Sequence, residues 1–450
     1  MSKMARCGTA AALTAFAVLF FAGSAIAGVV TQHYDFAEPV VKEAGEYARI
    51  TMEGAWHYGD PGDPILPMVG ARLLLPPGED VAEVRVVPGD KVVLAEGLVL
   101  EPGQRQYPLS FDGPVQRIEA DYAGRGLLPG RTHDAPKVGT FRGYAIANLA
   151  LHPVEYDAAT GTVSYYRSMD VEITTRPSAE LRDVAERMIR HDAGTKEQLG
   201  RYVDNELLSM EYAAIERVKH GQSEPLTLDP ADGYKYLIIT SDTWDDYLDD
   251  IVALETQRGY KAGVFLTSWI YANYGGIDEP DQIRNFIIDA YNTWDADYVL
   301  LVGDARTANG IPHRGMWNDA YGSDDYDIPC DLYYVALDGN WNADGDSRWG
   351  EYSPEEADLY PELAVGRFCV DDVSEAQNSV TKTLLYIDPP PAVQGELDEA
   401  LMVGELLWSS PLTWGGTYKD QILNGGSYDG YTTVGFFPAM PNTGTLYDRD

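Results

Sequence analysis

The twelve residues from Asn340 to Glu351 carry a spacing that amounts to chemistry by itself. Oxygen-bearing side chains fall at loop positions 1, 3 and 5 (Asn340, Asn342, Asp344), with Gly345 at 6, Asp346 at 7 and Glu351 at 12. That is the pattern of a twelve-residue Ca2+ loop: alternate side chains converge on the ion, the glycine permits a sharp turn, and the last Glu binds through both oxygens. Asp346 is expected to contribute its backbone carbonyl. Asn in place of Asp at the first and third positions lowers the charge of the site and with it the affinity. A polar hairpin loop favours the same Asn, Asp and Gly residues, so both readings stand. No helical pattern flanks the loop, and a calcium ion here would be structural rather than a sensor.

Nucleophiles are scarce. The chain has three cysteines, Cys7, Cys330 and Cys369. Cys330 and Cys369 could form one disulfide in an exported protein, or pack as two separate small apolar side chains. Their spacing excludes a cysteine-rich zinc site. Of the seven histidines, His33, His57, His133, His152, His191, His220 and His313, only His313 lies in the second half of the chain.

The elements that must position these groups fall into two patterns. Residues 28–177 read as short strands between Gly, Pro and Asp, among them Ala71–Leu75, Val84–Val87, Lys91–Leu94, Ala145–Leu151 and Val171–Thr175. Val154–Tyr156 and Val163–Tyr166 form a hairpin across a turn at Asp157–Gly161. This is an all-β domain. Residues 178–232 change to charged helices, Ala179–Arg190 and Lys196–Lys219, followed by an exposed linker at Gln222–Asp232 that Pro225 and Pro230 keep non-helical. Arg217 and Lys219 stand just before it, either as a processing site or as a solvated helix end.

From residue 233 to residue 450 strands and helices alternate. Tyr236–Thr240, Lys261–Leu266, Tyr298–Gly303, Leu363–Val365 and Ala400–Gly404 read as strands. Helices run from a cap at Ser241 or Asp242 to Arg258, then over Asp281–Trp294, Val373–Tyr386 and Gly416–Leu423. The alternation predicts an α/β domain with a mainly parallel sheet flanked by helices. In such sheets the cleft lies beyond the carboxyl ends of the strands, here the loops after Val302, Val365 and Val403.

Composition sets the setting. The 450-residue chain is 45% hydrophobic and 23% charged, a globular profile with room for two or three domains. Asp and Glu number 71 against 33 Lys and Arg, a formal net charge of -38. So acidic a surface repels nucleic acid and anionic membranes, and suits Ca2+, basic substrates or solubility in salt. Lys3 and Arg6, an apolar run from Ala10 to Phe21 and the small residues Ala25-Ile26-Ala27 form a secretory leader, residues 1–27, with cleavage expected after Ala27. No later stretch reaches the ~20 apolar residues of a membrane span.

Several segments in order resemble the gingipain-like cysteine peptidase family, over nearly the whole sequence. Gly59-Asp-Pro-Gly-Asp-Pro-Ile-Leu-Pro67 and Leu73-Leu-Leu-Pro-Pro-Gly78 look like its propeptide. Tyr236–Thr240, Ile283–Ile287 and Tyr298–Asp304 look like the start of its peptidase domain. The most specific stretch is Ile328-Pro-Cys-Asp-Leu-Tyr-Tyr334, then Leu337-Asp-Gly-Asn-Trp341, the acidic loop and Pro361-Glu-Leu-Ala-Val-Gly-Arg367. The resemblance implies a caspase-like α/β domain, incomplete at its C-terminus, behind an all-β propeptide that packs on it. It implies a Cys nucleophile that acylates on protein or peptide substrates and a His general acid/base. In the family that His sits in a Gly-His-Gly segment and the Cys ends the next strand. No Gly-His-Gly occurs here, and His313, Cys330 and Cys369 match neither position. The catalytic pair is therefore expected downstream of Asp450, and the 450-residue chain is expected to be inactive alone. Met402–Glu405 through Tyr418-Lys-Asp420 resembles the stretch that supplies an acidic substrate-pocket residue in the arginine-specific members. Asp420 is the match, against the alternative of a surface helix carboxylate. A secreted or cell-surface endopeptidase precursor is the leading expectation, and a non-catalytic exported protein that uses the same fold for binding is its rival.

Overall fold

The computed structural model describes residues 28–105, 116–218, 228–319, 324–351 and 356–387, with short strands between 401 and 446. The leader, most of the linker and Asp420 lie outside the described residues, as does the expected helix Gly416–Leu423.

Among the described residues of the β-rich part, thirteen strands run from β1 (Val29–Asp35) to β13 (Ser168–Pro177). The ones that build its core are β4 (Trp56–Tyr58), β5 (Leu66–Leu74), β6 (Glu79–Pro88), β7 (Lys91–Ala95), β8 (Leu127–Leu128), β9 (Lys137–Phe141), β10 (Tyr144–Leu151), β11 (Val154–Asp157) and β12 (Thr162–Tyr166). They form three antiparallel sheets, in the orders β1-β13-β6, β4-β5-β10-β9 and β7-β12-β11-β8. Strand β13 alternates as a one-sided strand should, with Met169, Val171 and Ile173 buried. Strand β10 is almost continuously apolar because both of its faces are covered. Ala145, Ala147, Leu149 and Leu151 enter the core shared with β13, while Tyr144 and Ile146 pack on the other side against Ile189, Leu199 and Tyr212.

Helices α1 (Ala179–Met188) and α2 (Ala193–Tyr202) supply that second cover. Ser178 and Asp192 cap them by accepting from the backbone N–H groups of Leu181 and Thr195. The single helix expected over Lys196–Lys219 is instead α2 followed by a 3-10 stretch, Glu206–Ala214. Tertiary hydrogen bonds make the break: Asp204 N–H donates to the Arg72 carbonyl, and the Asn205 amide bonds both the N–H and the carbonyl of Leu74. Of the described end of the expected linker, 229–232 is exposed, while Leu228 is buried in the α/β core and Trp294 donates to the Asp229 carbonyl. Arg217 is no solvated helix end. Its guanidinium pairs with Asp295, its Nε donates to the Ile189 carbonyl, and it lies over the Tyr291 ring.

In the α/β part, β14 (Tyr236–Thr240), β15 (Ala262–Leu266), β16 (Tyr298–Val302) and β21 (Ala364–Phe368) form a wholly parallel sheet in the order β15-β14-β16-β21. Helix α3 (Asp249–Gln257) and α6 (Val373–Ile387) cover one face, α4 (Thr267–Asn273) and α5 (Glu279–Trp294) the other. Helix α5 buries Ile283, Phe286, Ile287, Ala290, Tyr291 and Trp294, at helical spacing, on Leu237, Ile239, Val299 and Leu301. Each buried Ile or Phe among them contributes roughly 1.5–3 kcal/mol. Helix α3 starts later than the Ser241 or Asp242 cap predicts. The Ser241 hydroxyl donates to the Asn309 carbonyl at 2.7 Å, and a 3-10 turn at Asp245–Tyr247 intervenes. The antiparallel hairpin β17 (Arg314–Asp319) and β18 (Asp324–Cys330), and the two-residue pair β19 (Gly339–Asn340) and β20 (Glu356–Ala357), are inserted between β16 and β21. Leu401–Val403 is a strand, paired in parallel with Gly444–Leu446.

Candidate functional site

The chain order of the sheet reverses between β14 and β16, so the crevice expected of an open parallel sheet opens beyond Thr240 and Val302. The segment after Val302 is fixed there. Gly303 has φ +137, and a Cβ on it would come within 2.7 Å of Gly310, so glycine is required for this close crossing. Arg367 forks onto Asp331 at 2.8 and 2.7 Å and donates to the carbonyls of Gly303 and Ile311. Burial lowers the tendency of this guanidinium to stay charged, but the Asp331 carboxylate outweighs it and the pKa is raised. His313 bonds Asp327 through Nε2 at 2.8 Å, and its buried Nδ1 has no protein partner. Cys330 is half-buried and Cys369 exposed, both as free thiols, so the disulfide reading does not hold. Among the described residues no hydrogen bond joins a cysteine to a histidine.

The acidic loop spans the β19–β20 hairpin. Gly345 takes the left-handed turn with φ +75. One carboxylate oxygen each of Asp344, Asp346 and Glu351 lies within 4.8 Å of the others. Asp344 and Asp346 are exposed, while Glu351 is 9% exposed. Asn340 Oδ1 accepts from the Asn342 N–H at 3.1 Å, and Asn342 Nδ2 donates to the Asp346 carbonyl at 3.0 Å. The Asp346 carbonyl accepts this one bond, and its side-chain carboxylate is the group that joins the cluster. Asn342 Oδ1 is buried without a protein partner, an acceptor with nothing to accept from. Arg348 stands 3.4 Å from Glu351 and from Asp324, partly balancing the acids. Three converging carboxylates and a spare amide oxygen are the hard oxygen donors that suit Ca2+.

A second acidic cluster escaped the sequence reading altogether. The β9–β10 hairpin turns on Arg142 and Gly143, both with positive φ (47 and 82), as a two-residue turn of the primed kind requires. A Cβ at Gly143 would approach the Ile189 N to 2.9 Å. This turn drives Thr140 and Arg142 into the α/β part. Thr140 donates its N–H to Asp358 and its hydroxyl to Asp338 and Asp358. Glu362, wholly buried, accepts from the Arg142 N–H at 3.1 Å through one oxygen and from the Leu337 N–H at 2.8 Å through the other. The Arg142 guanidinium donates to the Glu362 carbonyl and Thr195, and Arg190 closes the contact on Asp297 at 2.6 Å. Burial pushes the carboxyls of Asp358 and Glu362 well above the usual range, and the neighbouring Asp338 adds to it. The one hint in sequence was Glu362 itself, an acid directly before an apolar strand.

Comparison with known proteins gives these two parts a family. The model of peptidase family C25 matches residues 229–447, and that of the C25 propeptide matches residues 31–191. The chain belongs to the gingipain-like C25 peptidases, propeptide included. Lys-gingipain HG66 of Porphyromonas gingivalis is 23% identical over 419 residues, which are 90% of this chain and 22% of that protein. The chain therefore spans about a fifth of the length of the curated relatives it matches. Among solved structures, zymogenic gingipain K from Porphyromonas gingivalis aligns at 23% identity and a TM-score of 0.30, over 33% of this chain and 88% of that one. The complex of the pro- and mature domains of Porphyromonas gingivalis RgpB aligns at 13% identity and a TM-score of 0.30, over 40% and 93%.

Proposed function

We propose that this chain is the front part of an exported cysteine endopeptidase precursor. In this reading residues 1–27 are the leader, 28–177 the β-rich propeptide, 178–232 a helical connector, and 233–450 the first part of a caspase-like peptidase domain. The observation that carries it is the order of matches in one chain, C25 propeptide over 31–191 and C25 peptidase over 229–447, with the two parts packed together through buried side chains. The catalytic thiol and imidazole belong downstream of Asp450, and substrates are proteins or peptides. Asp420 would face an Arg or Lys side chain of the substrate by charge-assisted hydrogen bonds. Asn340, Asn342, Asp344, Asp346 and Glu351 would hold a structural Ca2+, supported by the converging carboxylates and the unpartnered Asn342 oxygen.

The test is to read the gene beyond codon 450 and to assay both products. A Gly-His-Gly followed by a strand ending in Cys is expected, with peptide hydrolysis that thiol alkylation abolishes in the processed full-length protein and none in the 450-residue chain. A frame without that pair, or alkylation-sensitive hydrolysis by the 450-residue chain, overturns the assignment. The first outcome would favour the second reading, a non-catalytic exported relative that uses the same fold for binding.

A further inference from the structure

The junction between the two parts sets buried acids beside its apolar contacts, in which Val184 and Met188 of α1 join the α/β core and Tyr360 packs on Tyr202. Glu362 touches both parts at once, one oxygen on the Arg142 N–H and the other on the Leu337 N–H. Asp358 holds the Thr140 N–H and hydroxyl through one oxygen and its own loop, at the Tyr360 N–H, through the other. Both carboxyls are buried together with Asp338, whose Oδ1 has no protein partner. We propose that this junction is a proton-set latch: the β-rich part docks with the Asp358–Glu362 cluster carrying protons, and loosens as those protons leave.

The charged groups that face the cluster come from every element around it. Arg142 reaches in from the β9–β10 turn, Arg190 from the end of α1, Arg284 and Tyr291 from α5, Asp297 from the start of β16, and Asp338 from beside β19. Arg142 and Arg190 share Asp297, and Arg284 spends its donors on the carbonyls of Tyr333, Ala336 and Asp338. The cations are thus committed elsewhere, and carboxyls this close and this buried cannot all ionise. Undocking would expose Asp358 and Glu362 to water and return them toward ordinary acidity. An acid whose pKa is higher in the docked state favours docking when protonated. The contribution is therefore complete below the ordinary carboxylate range near pH 4 and is lost as pH rises through the raised values. The inference concerns how the two parts hold together and stands apart from whether the gene encodes an active peptidase.

Hydrogen exchange in the full chain tests it. The Thr140 and Arg142 amides, bonded to Asp358 and Glu362, report the junction, and those of β14 report the α/β core. After correction for intrinsic exchange, opening of the junction between about pH 5 and 9 is expected to rise up to tenfold per pH unit for each proton released, while β14 stays flat. Glu362→Gln and Asp358→Asn should each flatten the rise. Junction protection that tracks β14 across the range, or variants that keep the wild-type slope, would overturn the latch. Should either variant not fold, the wild-type curve decides alone.

Discussion

Two trios of carboxylates lie close together in this chain and in opposite surroundings. Asp344, Asp346 and Glu351 converge at the tip of a hairpin, two of them in solvent. Asp338, Asp358 and Glu362 are shut between two parts of the molecule. Water screens Asp344 and Asp346 and Arg348 stands beside the buried Glu351, so the three tolerate one another, and a cation adds to a site that already exists. Burial leaves the second trio only hydrogen bonds, protons and a few arginines to compensate it. The same residue type is thus a surface for a ligand in one place and a structural joint in the other. Burial, not composition, decides which.

The largest effect should follow from removing the buried arginine beside the second trio. Arg142→Ala removes a buried cation that bonds the Glu362 carbonyl and Thr195 and stands 3.7 Å from Asp297. It leaves the Glu362 carbonyl and the Thr195 hydroxyl without that donor in a buried site, and a buried polar group left unsatisfied typically costs about 1–3 kcal/mol. Urea unfolding followed by tryptophan fluorescence should show a correspondingly lower midpoint. A shift of less than ~1 kcal/mol would mean that water already reaches the junction, and the contrast between the two trios would weaken.

The exposed trio should respond to calcium instead. At a Ca2+ concentration about 100 times its Kd, binding to the folded chain alone adds about 2.7 kcal/mol. A raised melting temperature in Ca2+, reversed by chelator, is the expected outcome. Glu351→Gln removes the carboxylate that can bind through both oxygens and should lose most of the shift. Equal melting of both proteins with and without Ca2+ would remove the site from consideration.

The two trios also differ in how legible they were. The loop was visible because its donors and Gly345 are local, and a turn of twelve residues needs nothing from elsewhere in the chain. The parallel strands β14 to β16 and helix α5 were visible for the same reason, since periodicity marks a face before any partner is known. The junction joins Thr140 and Arg142 to residues some two hundred positions away, a separation printed in no local pattern. The break after α2 and the late start of α3 were hidden likewise, because the carbonyls of Arg72 and Asn309 that redirect those segments are tertiary neighbours. Long-range hydrogen bonds, not propensities, made each of these differences.

The smallest predicted effect separates the trios most cleanly. Asp344→Asn deletes one exposed charge whose oxygen accepts from the Asp346 N–H at 3.1 Å, a bond that an Asn oxygen can keep. In chelator the substitution relieves repulsion with Asp346 and Glu351 and breaks no buried contact. The urea midpoint should therefore stay unmoved or rise slightly, as for most surface changes. In Ca2+ the same variant should fall below the parent, because it has lost a ligand charge. A single change that is neutral or helpful without the ion and harmful with it identifies a binding surface. A loss of stability in both conditions would instead show that Asp344 is part of the fold, and that the exposed trio is a joint like the buried one.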